Sequence, residues 1–316
     1  MLKKLVWISC LLPFMALTAQ AQTKVLKIVV PYPPGGSPDS TARVIGEKIQ
    51  QGGKYSVVVD NRPGAGGTVA VDTVKNAPPD GLTLLLADSS TYSIAPNVRR
   101  KATFDPLKDL KPVSLASTSP IFLIAKPETA TSVKELVDYL KRNPDSPYGS
   151  SGYGTAHHLA MELFKQSSGL KMTHVPYKGA SQTAPAVASG EVIATFAGLT
   201  LANAFAQGGK VKILAIAEPK RSALAPNIPT IAESGLPGYS IVISLGFLAN
   251  AKTPDAIVKE LNEEIAKAVN SPDVKTKLNG LGVEPASSTP QKFGEQIAAE
   301  LKSFGSITKA ANIQEE

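Results

Sequence analysis

The sequence is poor in the residues that carry covalent and metal chemistry. Its 316 residues include one cysteine, three histidines and one tryptophan. A lone cysteine forms no internal disulfide, and Cys10 falls in a segment that reads as a cleaved leader, so the mature chain is expected to have no thiol. That suits an export compartment, where stray thiols are oxidised. No His-Glu-x-x-His occurs, and the adjacent His157 and His158 would diverge by about 100° on a helix, too far apart to share an ion easily. No metal and no cofactor is expected. Runs of like charge are missing and aromatics make up only 6% of the chain, which leaves nucleic-acid binding without support. No paired-carboxylate or Ser-His-Asp constellation stands out (Asp60 and Asp88 have no partner acid at a useful spacing), so no catalytic residue is assigned.

What is present begins with an export signal. Lys3 and Lys4 form a basic start, Leu5 to Leu17 an apolar stretch too short to span a bilayer, and Ala19-Gln20-Ala21 a small-x-small site. Cleavage is expected after Ala21. The residues before Cys10 (Val6-Trp7-Ile8-Ser9) lack the leucine usual in a lipoprotein signal. The remaining length suits two domains. A formal net charge of +7, reduced by two on loss of Lys3 and Lys4, helps draw in anions, although an ordinary solvated surface accounts for it equally.

The stretch from Lys27 to Ser40 organises the mature chain. Ile28, Val29 and Val30 read as a buried strand running into Pro31-Tyr32-Pro33-Pro34-Gly35-Gly36. Ser37 then suits an N-cap, Pro38 the first helical position and Asp39 the first turn. The prolines stiffen the loop, and the glycines leave bare amides at a helix start, an anion site that needs no charged side chain. A plain strand–helix connection fits this stretch equally well by itself.

The same rhythm recurs. A helix with Ala42, Ile45 and Ile49 on one side ends at Gly52-Gly53; Tyr55 to Val59 is a strand leading into a second loop, Asp60 to Thr68. There Arg62 either meets an anion or locks the loop. Leu82 to Ala87 is an apolar strand ending in Asp88-Ser89-Ser90-Thr91-Tyr92. Strand–loop–helix alternation marks an α/β fold with a parallel sheet, whose ligands bind beyond the carboxyl ends of strands. Val113 to Leu115 and Ile121 to Ala125 suit a crossover between lobes. Ser132-Val133-Lys134-Glu135 is a capping box, and Thr253-Pro254, Ser271-Pro272 and Thr289-Pro290 read as N-caps followed by proline.

Gly149-Ser150-Ser151-Gly152-Tyr153-Gly154-Thr155 is a second loop of amides and hydroxyls at a helix start, suited to a carboxylate or phosphate. It is not a P-loop, a nucleophile elbow or a dinucleotide fingerprint. His157 is placed to brace it. Two anion loops without a catalytic set favour binding over catalysis. A secreted hydrolase using Ser151 or His157 remains the alternative from another class, and it requires a general base close to Ser151.

With these loops in view, the sequence resembles the solute-binding receptors of tripartite tricarboxylate transporters, the TctC/Bug family. The resemblance rests on Ile28 to Ser37, Asp60 to Gly67, Pro79 to Leu85, Tyr148 to Gly152 with Gly154-Thr155 and His158-Leu159-Ala160, His174 to Gly179, Ile228 to Gly235, and Ser271 to Val274. It implies a periplasmic, two-lobed α/β Venus-flytrap with hinge strands crossing between lobes. Residues 22–120 and about 225–316 would form one lobe and about 121–224 the other, with 241–284 open to packing on either. It implies a small organic carboxylate ligand (mono-, di- or aromatic), a monomer, and TctA/TctB-like permease subunits as partners, with a sensor kinase as the alternative partner. The loops act as pincers. Ligand contacts are assigned to Tyr32, Pro34, Gly35, Gly36, Ser37, Asp39, Ser89, Ser90, Ser150, Ser151, Gly154, Thr155, His157 and Thr200. Two departures stand out. Ala197-Gly198 replace an Asp-Asn pair frequent in the family, which tilts the ligand away from amino acids, and Ser244 or Leu245 stands where relatives often have Trp.

Overall fold

The computed structural model describes residues 23–99 and 104–314; the export signal and its cleavage site lie outside the described residues. The first part of the chain runs β1 (Lys24–Val30), α1 (Ser37–Gln51), β2 (Tyr55–Asn61), α2 (Thr68–Lys75), β3 (Thr83–Asp88), the single turns α3 (Ala95–Val98) and α4 (Pro106–Asp109), and β4 (Leu110–Thr118). The second runs β5 (Ile121–Ala125), α5 (Val133–Arg142), β6 (Pro147–Ser150), α6 (Ala156–Ser168), β7 (Thr173–Pro176), α7 (Thr183–Ser189), β8 (Ala194–Gly198), α8 (Leu199–Ala206) and β9 (Lys212–Ile216). Then follow β10 (Ser244–Asn250), α9 (Asp255–Asn270), α10 (Pro272–Gly280), β11 (Glu284–Pro285) and α11 (Pro290–Ala310).

Each of two lobes is built on one sheet, ordered β11-β4-β10-β3-β1-β2 in the first and β7-β6-β8-β5-β9 in the second. The parallel sheet expected from the strand–helix rhythm is present as the β2-β1-β3 and β7-β6-β8 triplets. Both sheets are nevertheless mixed. β10 returns from the other lobe and inserts antiparallel between β3 and β4, and β5 lies antiparallel to β8 and β9. Ile28, Val29, Val30 and Leu84 to Leu86 are fully buried on both strand faces, as helices on either side of a sheet require. Of the segment 241–284, open to either lobe from sequence, Ile241 and Ile243 join the core that contains β5 and β8, while the part from Ser244 onward packs with the first lobe. β10 fills the middle of that sheet, and Leu261, Ile265, Val274 and Leu278 join its core.

The chain crosses between lobes after β4 and again before β10, and the crossings run side by side. The Ser119 N–H donates to the Ile243 carbonyl (2.8 Å) and the Ile241 N–H to the Ala217 carbonyl (2.9 Å). α11 is a third link. Phe293 and Ile297 sit in a core of the first lobe, while Phe304 and Ile307 sit in the core that contains β5 and β8. Among the described residues no helix is long and apolar enough to cross a membrane.

Helix starts follow the sequence signals in part. Ser132 caps α5 by accepting the Glu135 N–H, and Thr289 caps α11 by accepting the Lys292 N–H, both at 3.2 Å. Thr253 lies one residue too early, because Pro254 is the N-cap of α9; Ser271 caps α10 by position only, its hydroxyl donating to the Ala268 carbonyl (2.7 Å). Ser37 is the first residue of α1 rather than its cap. Gly36 takes that place, and no side chain caps the helix.

Where α11 lies on β10, Gly246 gives the Phe293 ring its room, since a Cβ there would collide with the ring. Gly198 has open space around its would-be Cβ. Gly246→Ala is therefore expected to lower unfolding free energy by about 1–3 kcal/mol, the usual cost of overpacking. Gly198→Ala should stay within about 0.5 kcal/mol of the parent. Urea titration of both variants checks this.

Candidate functional site

Three helices begin at the cleft between the lobes. Ser37 and Pro38 of α1, His157 of α6, and Gly198, Leu199 and Thr200 at the start of α8 line one cavity of ≈ 400 Å³. Asp88, Ser119, Ile243, Leu245 and Gly282 complete much of its wall. Neither α1 nor α8 has a side-chain cap, so their first amides are left for water or a ligand, with the helix dipole behind them. Among the described residues no Lys or Arg lines this cavity. An anion here is held by backbone donors and hydroxyls.

A second cavity of ≈ 310 Å³ lies beside it, lined by Tyr32, Pro33, Ser90, Thr91 and Arg99 of the first lobe and Tyr153, Gly154 and Thr155 of the second. Gly64, Gly66 and Gly67 of the second glycine-rich loop also reach it. The partition between the two cavities is a hydrogen bond. The Tyr32 hydroxyl donates to Asp88 Oδ1 (2.5 Å) and lies 3.1 Å from the Thr91 hydroxyl. Burial and the adjacent Asp88 charge push the Tyr32 phenol up, so it stays a donor.

The first loop is locked from below by Asp39. This buried carboxylate accepts the Gly35 N–H (2.9 Å), Arg43 Nε (3.1 Å) and Asn61 Nδ2 (3.0 Å). Burial raises its pKa, but Arg43, Gly35 and Asn61 together outweigh that and hold the carboxyl below its ordinary value. Asp39, expected to touch the ligand, is therefore turned away from the cleft, and the Gly35 amide is spent on it instead of standing bare. Gly35 has φ +91°, which only glycine adopts at ease. Pro34, Gly35 and Gly36 line neither cavity. Arg62 pairs with Asp60 (3.0 Å) in place of an anion or a carbonyl.

The second loop is locked by hydroxyls and imidazoles. Ser150 is fully buried; its hydroxyl donates to the Gly152 carbonyl (2.9 Å) and meets His174 Nε2 at 2.6 Å. The Ser151 hydroxyl donates to Thr155 Oγ1 (3.1 Å), and Thr155 donates to the Gly152 carbonyl (2.8 Å). His157 Nδ1 lies 2.9 Å from Ser151. With the serine proton already directed to Thr155, that nitrogen is assigned as the donor. No carboxylate orients His157 among the described residues, so the pair braces the loop and lacks the arrangement of a nucleophile with its base. The Gly154 N–H donates to His158 Nδ1 (3.1 Å). His158 stacks on His174, ring centroids 3.7 Å apart, and His174 stacks on Tyr148 at 5.0 Å.

Ser89, assigned to the ligand from sequence, is fully buried and accepts the Ser244 N–H (3.0 Å). There it joins Tyr92 and Glu300 in tying β10 to α11. Of the assigned residues, the structure brings Ser37, His157 and Thr200 to one cavity and Tyr32, Ser90, Gly154 and Thr155 to the other. Ser150 and Ser151 shape the loop and line neither. His174 had no role from sequence, although its place opposite Tyr148 in the β6–β7 pair is what a parallel register provides. Asp88, Arg99 and Leu245 are further wall residues that were not assigned. Among the described residues no three metal-ligating side chains come together.

Burial pushes His157 down to about 4; burial, then the His174 and Lys165 charges, push His158 down to about 3; burial also pushes His174 down to about 4, against the opposing pull of Glu162. All three stay neutral in the fold well below the pH at which an unfolded histidine takes a proton. Their contribution to stability is therefore present above about pH 6.5 and is lost as pH falls from there towards 4. Each adds up to about 1.4 kcal/mol per pH unit within that window. Thermal unfolding between pH 7.5 and 4.5 should show melting temperature falling below pH 6.5, and less steeply in His158→Gln. A flat profile would contradict the assignment.

Residues 41–313 match the tripartite tricarboxylate transporter family receptor, TctC. A UPF0065 protein of Bordetella pertussis is 33% identical over 308 residues, covering 95% of this chain and 94% of that one. Protein BugT of the same organism is 31% identical over 291 residues, covering 90% and 88%. Among solved structures, a protein of R. palustris with adipate is 32% identical with a TM-score of 0.80, over 93% of this chain and 99% of that one. MatC of Rhodopseudomonas palustris with bound malate is 28% identical with a TM-score of 0.73, over 90% and 99%. With its two lobes, crossing strands and interlobe cleft, the chain belongs to the TctC family of tripartite tricarboxylate transporter receptors, which are periplasmic solute-binding proteins.

Proposed function

We propose that this receptor captures a small organic carboxylate in the interlobe cleft and delivers it to TctA/TctB-like permease subunits in the membrane. The observation that carries the proposal is the meeting of two uncapped helix starts, α1 and α8, in a cavity that no Lys or Arg lines among the described residues. Such a site suits a planar anion that accepts several directed hydrogen bonds. Ser37 and Thr200 stand at those starts, with His157 between them as a neutral partner. Tyr32, Ser90, Gly154 and Thr155 surround the adjoining cavity, while Pro34, Gly35, Gly36, Asp39, Ser89, Ser150 and Ser151 set the backbone that presents them. Two related structures carrying adipate and malate support the ligand class. The export signal expected from sequence at Lys3 to Ala21 supports a periplasmic location. Closure of the lobes would exclude water and strengthen the amide contacts.

In a thermal-shift screen of the mature protein, carboxylates should raise the melting temperature, and amines and sugars without an acid group should not. A folded protein indifferent to a broad set of mono-, di-, tri- and aromatic carboxylates would overturn the proposal. Thr155→Val removes the α6 cap and its bond to Gly152. It should cost about 1 kcal/mol of stability and weaken binding of the best acid, measured by calorimetry, while the protein stays folded. Deleting the gene should abolish cellular uptake of that acid.

A further inference from the structure

Among the described residues Asp88 is the one acidic side chain facing the ≈ 400 Å³ cavity, and the site described so far gives it no part in holding the ligand. It ends β3. Its Oδ1 accepts three donors: the Tyr32 hydroxyl (2.5 Å), the Ser90 N–H (2.9 Å) and the Thr91 N–H (3.4 Å). The Ser90 side chain also lies close enough to act on the carboxylate, and no Lys or Arg pairs with Asp88 among the described residues. Burial raises the Asp88 pKa above its ordinary value; the donors fix the carboxylate plane and offset that rise only in part. A half-buried carboxylate with one oxygen on a cleft and no counter-ion is costly until a cation arrives.

The remaining wall shows what else the occupant carries. Leu199, Leu201, Ile243, Leu245 and Val283 are apolar, and the uncapped starts of α1 and α8 face the same space. The cavity thus holds an anion site, a single negative charge and a greasy surface. A dicarboxylate would set its second acid against Asp88 or against the apolar wall, with no Lys or Arg among the described lining residues to meet it. The Asp-Asn pair that Ala197-Gly198 replace is answered by an acid from the opposite lobe, and Gly198 adds no side chain to the space.

We propose that Asp88 determines specificity by pairing through Oδ2 with the ammonium group of an amino carboxylate that has an apolar body. This rests on the carboxylate-receptor function proposed above and narrows its ligand class.

Calorimetry on the mature protein tests it with matched pairs: leucine against 4-methylpentanoate, phenylalanine against 3-phenylpropanoate, and 6-aminohexanoate against hexanoate, with adipate alongside. In at least one pair the amino compound should bind about tenfold or more tightly than its deaminated twin, as an ion pair of ~1.4 kcal/mol would give. Asp88→Asn keeps an Oδ1 acceptor for Tyr32 and the two amides. It should close that gap, chiefly by weakening the amino compound. The proposal is overturned if, in wild-type protein, the twins or adipate bind as tightly as every amino compound, or if the gap survives in Asp88→Asn. The wild-type comparison decides even if the variant does not fold. Binding by twins alone overturns this inference and leaves the carboxylate receptor standing; binding by no acid of any kind overturns both.

Discussion

The buried carboxylate of Asp39 is the fixture on which the cleft depends. A Pro-Gly loop has no regular hydrogen bonding to hold it, so its shape is set by what its backbone can reach. Asp39 gathers Gly35, Arg43 and Asn61, and Asn61 also donates to the Tyr32 carbonyl (3.0 Å). Arg43 is half exposed, but leaving the buried Asp39 carboxylate without its hydrogen-bond donors costs about 1–3 kcal/mol or more. An N-cap hydrogen bond contributes about 1 kcal/mol. The lock therefore outweighs the cap in deciding where α1 begins, and the helix start can stay uncapped and open to the cleft.

The second loop meets the same requirement with neutral groups. Its serines and Thr155 hydrogen-bond one another and the Gly152 carbonyl, and His158 receives Gly154 through an unprotonated nitrogen. A cation in that place would attract any anion regardless of shape. Imidazoles kept neutral by burial let directed amides and hydroxyls choose the ligand, and they confine full function to a pH at which those rings carry no proton.

Much of this was legible in the sequence. Ile28-Val29-Val30 and Leu84-Leu85-Leu86 announce buried strands, glycine- and proline-rich loops follow them, and Ser132 and Thr289 cap the helices they precede. The interior of the site was less legible because a serine in a Gly/Ser loop looks the same whether it faces in or out. Ser150 and Ser89 face in. Asp39 reads as a first-turn acid, and its partner Asn61 lies on another strand. The mixed character of both sheets depends on a return from the other lobe that strand patterns do not encode. Asp88 was visible but without a partner nearby in sequence; what it meets, Tyr32, comes from a different strand end.

α11 bears on how such a molecule moves. Its early turns are embedded with Phe293 and Ile297 in one lobe, and its late turns with Phe304 and Ile307 in the other. A rod anchored at both ends resists free swinging about the two crossing segments. Opening must bend it or slide it along one of its beds, and packed helices slide only a little before side chains must change places. The helix is thus placed like a strap across the hinge, so the width of the mouth is bounded by how far its two beds let it shift.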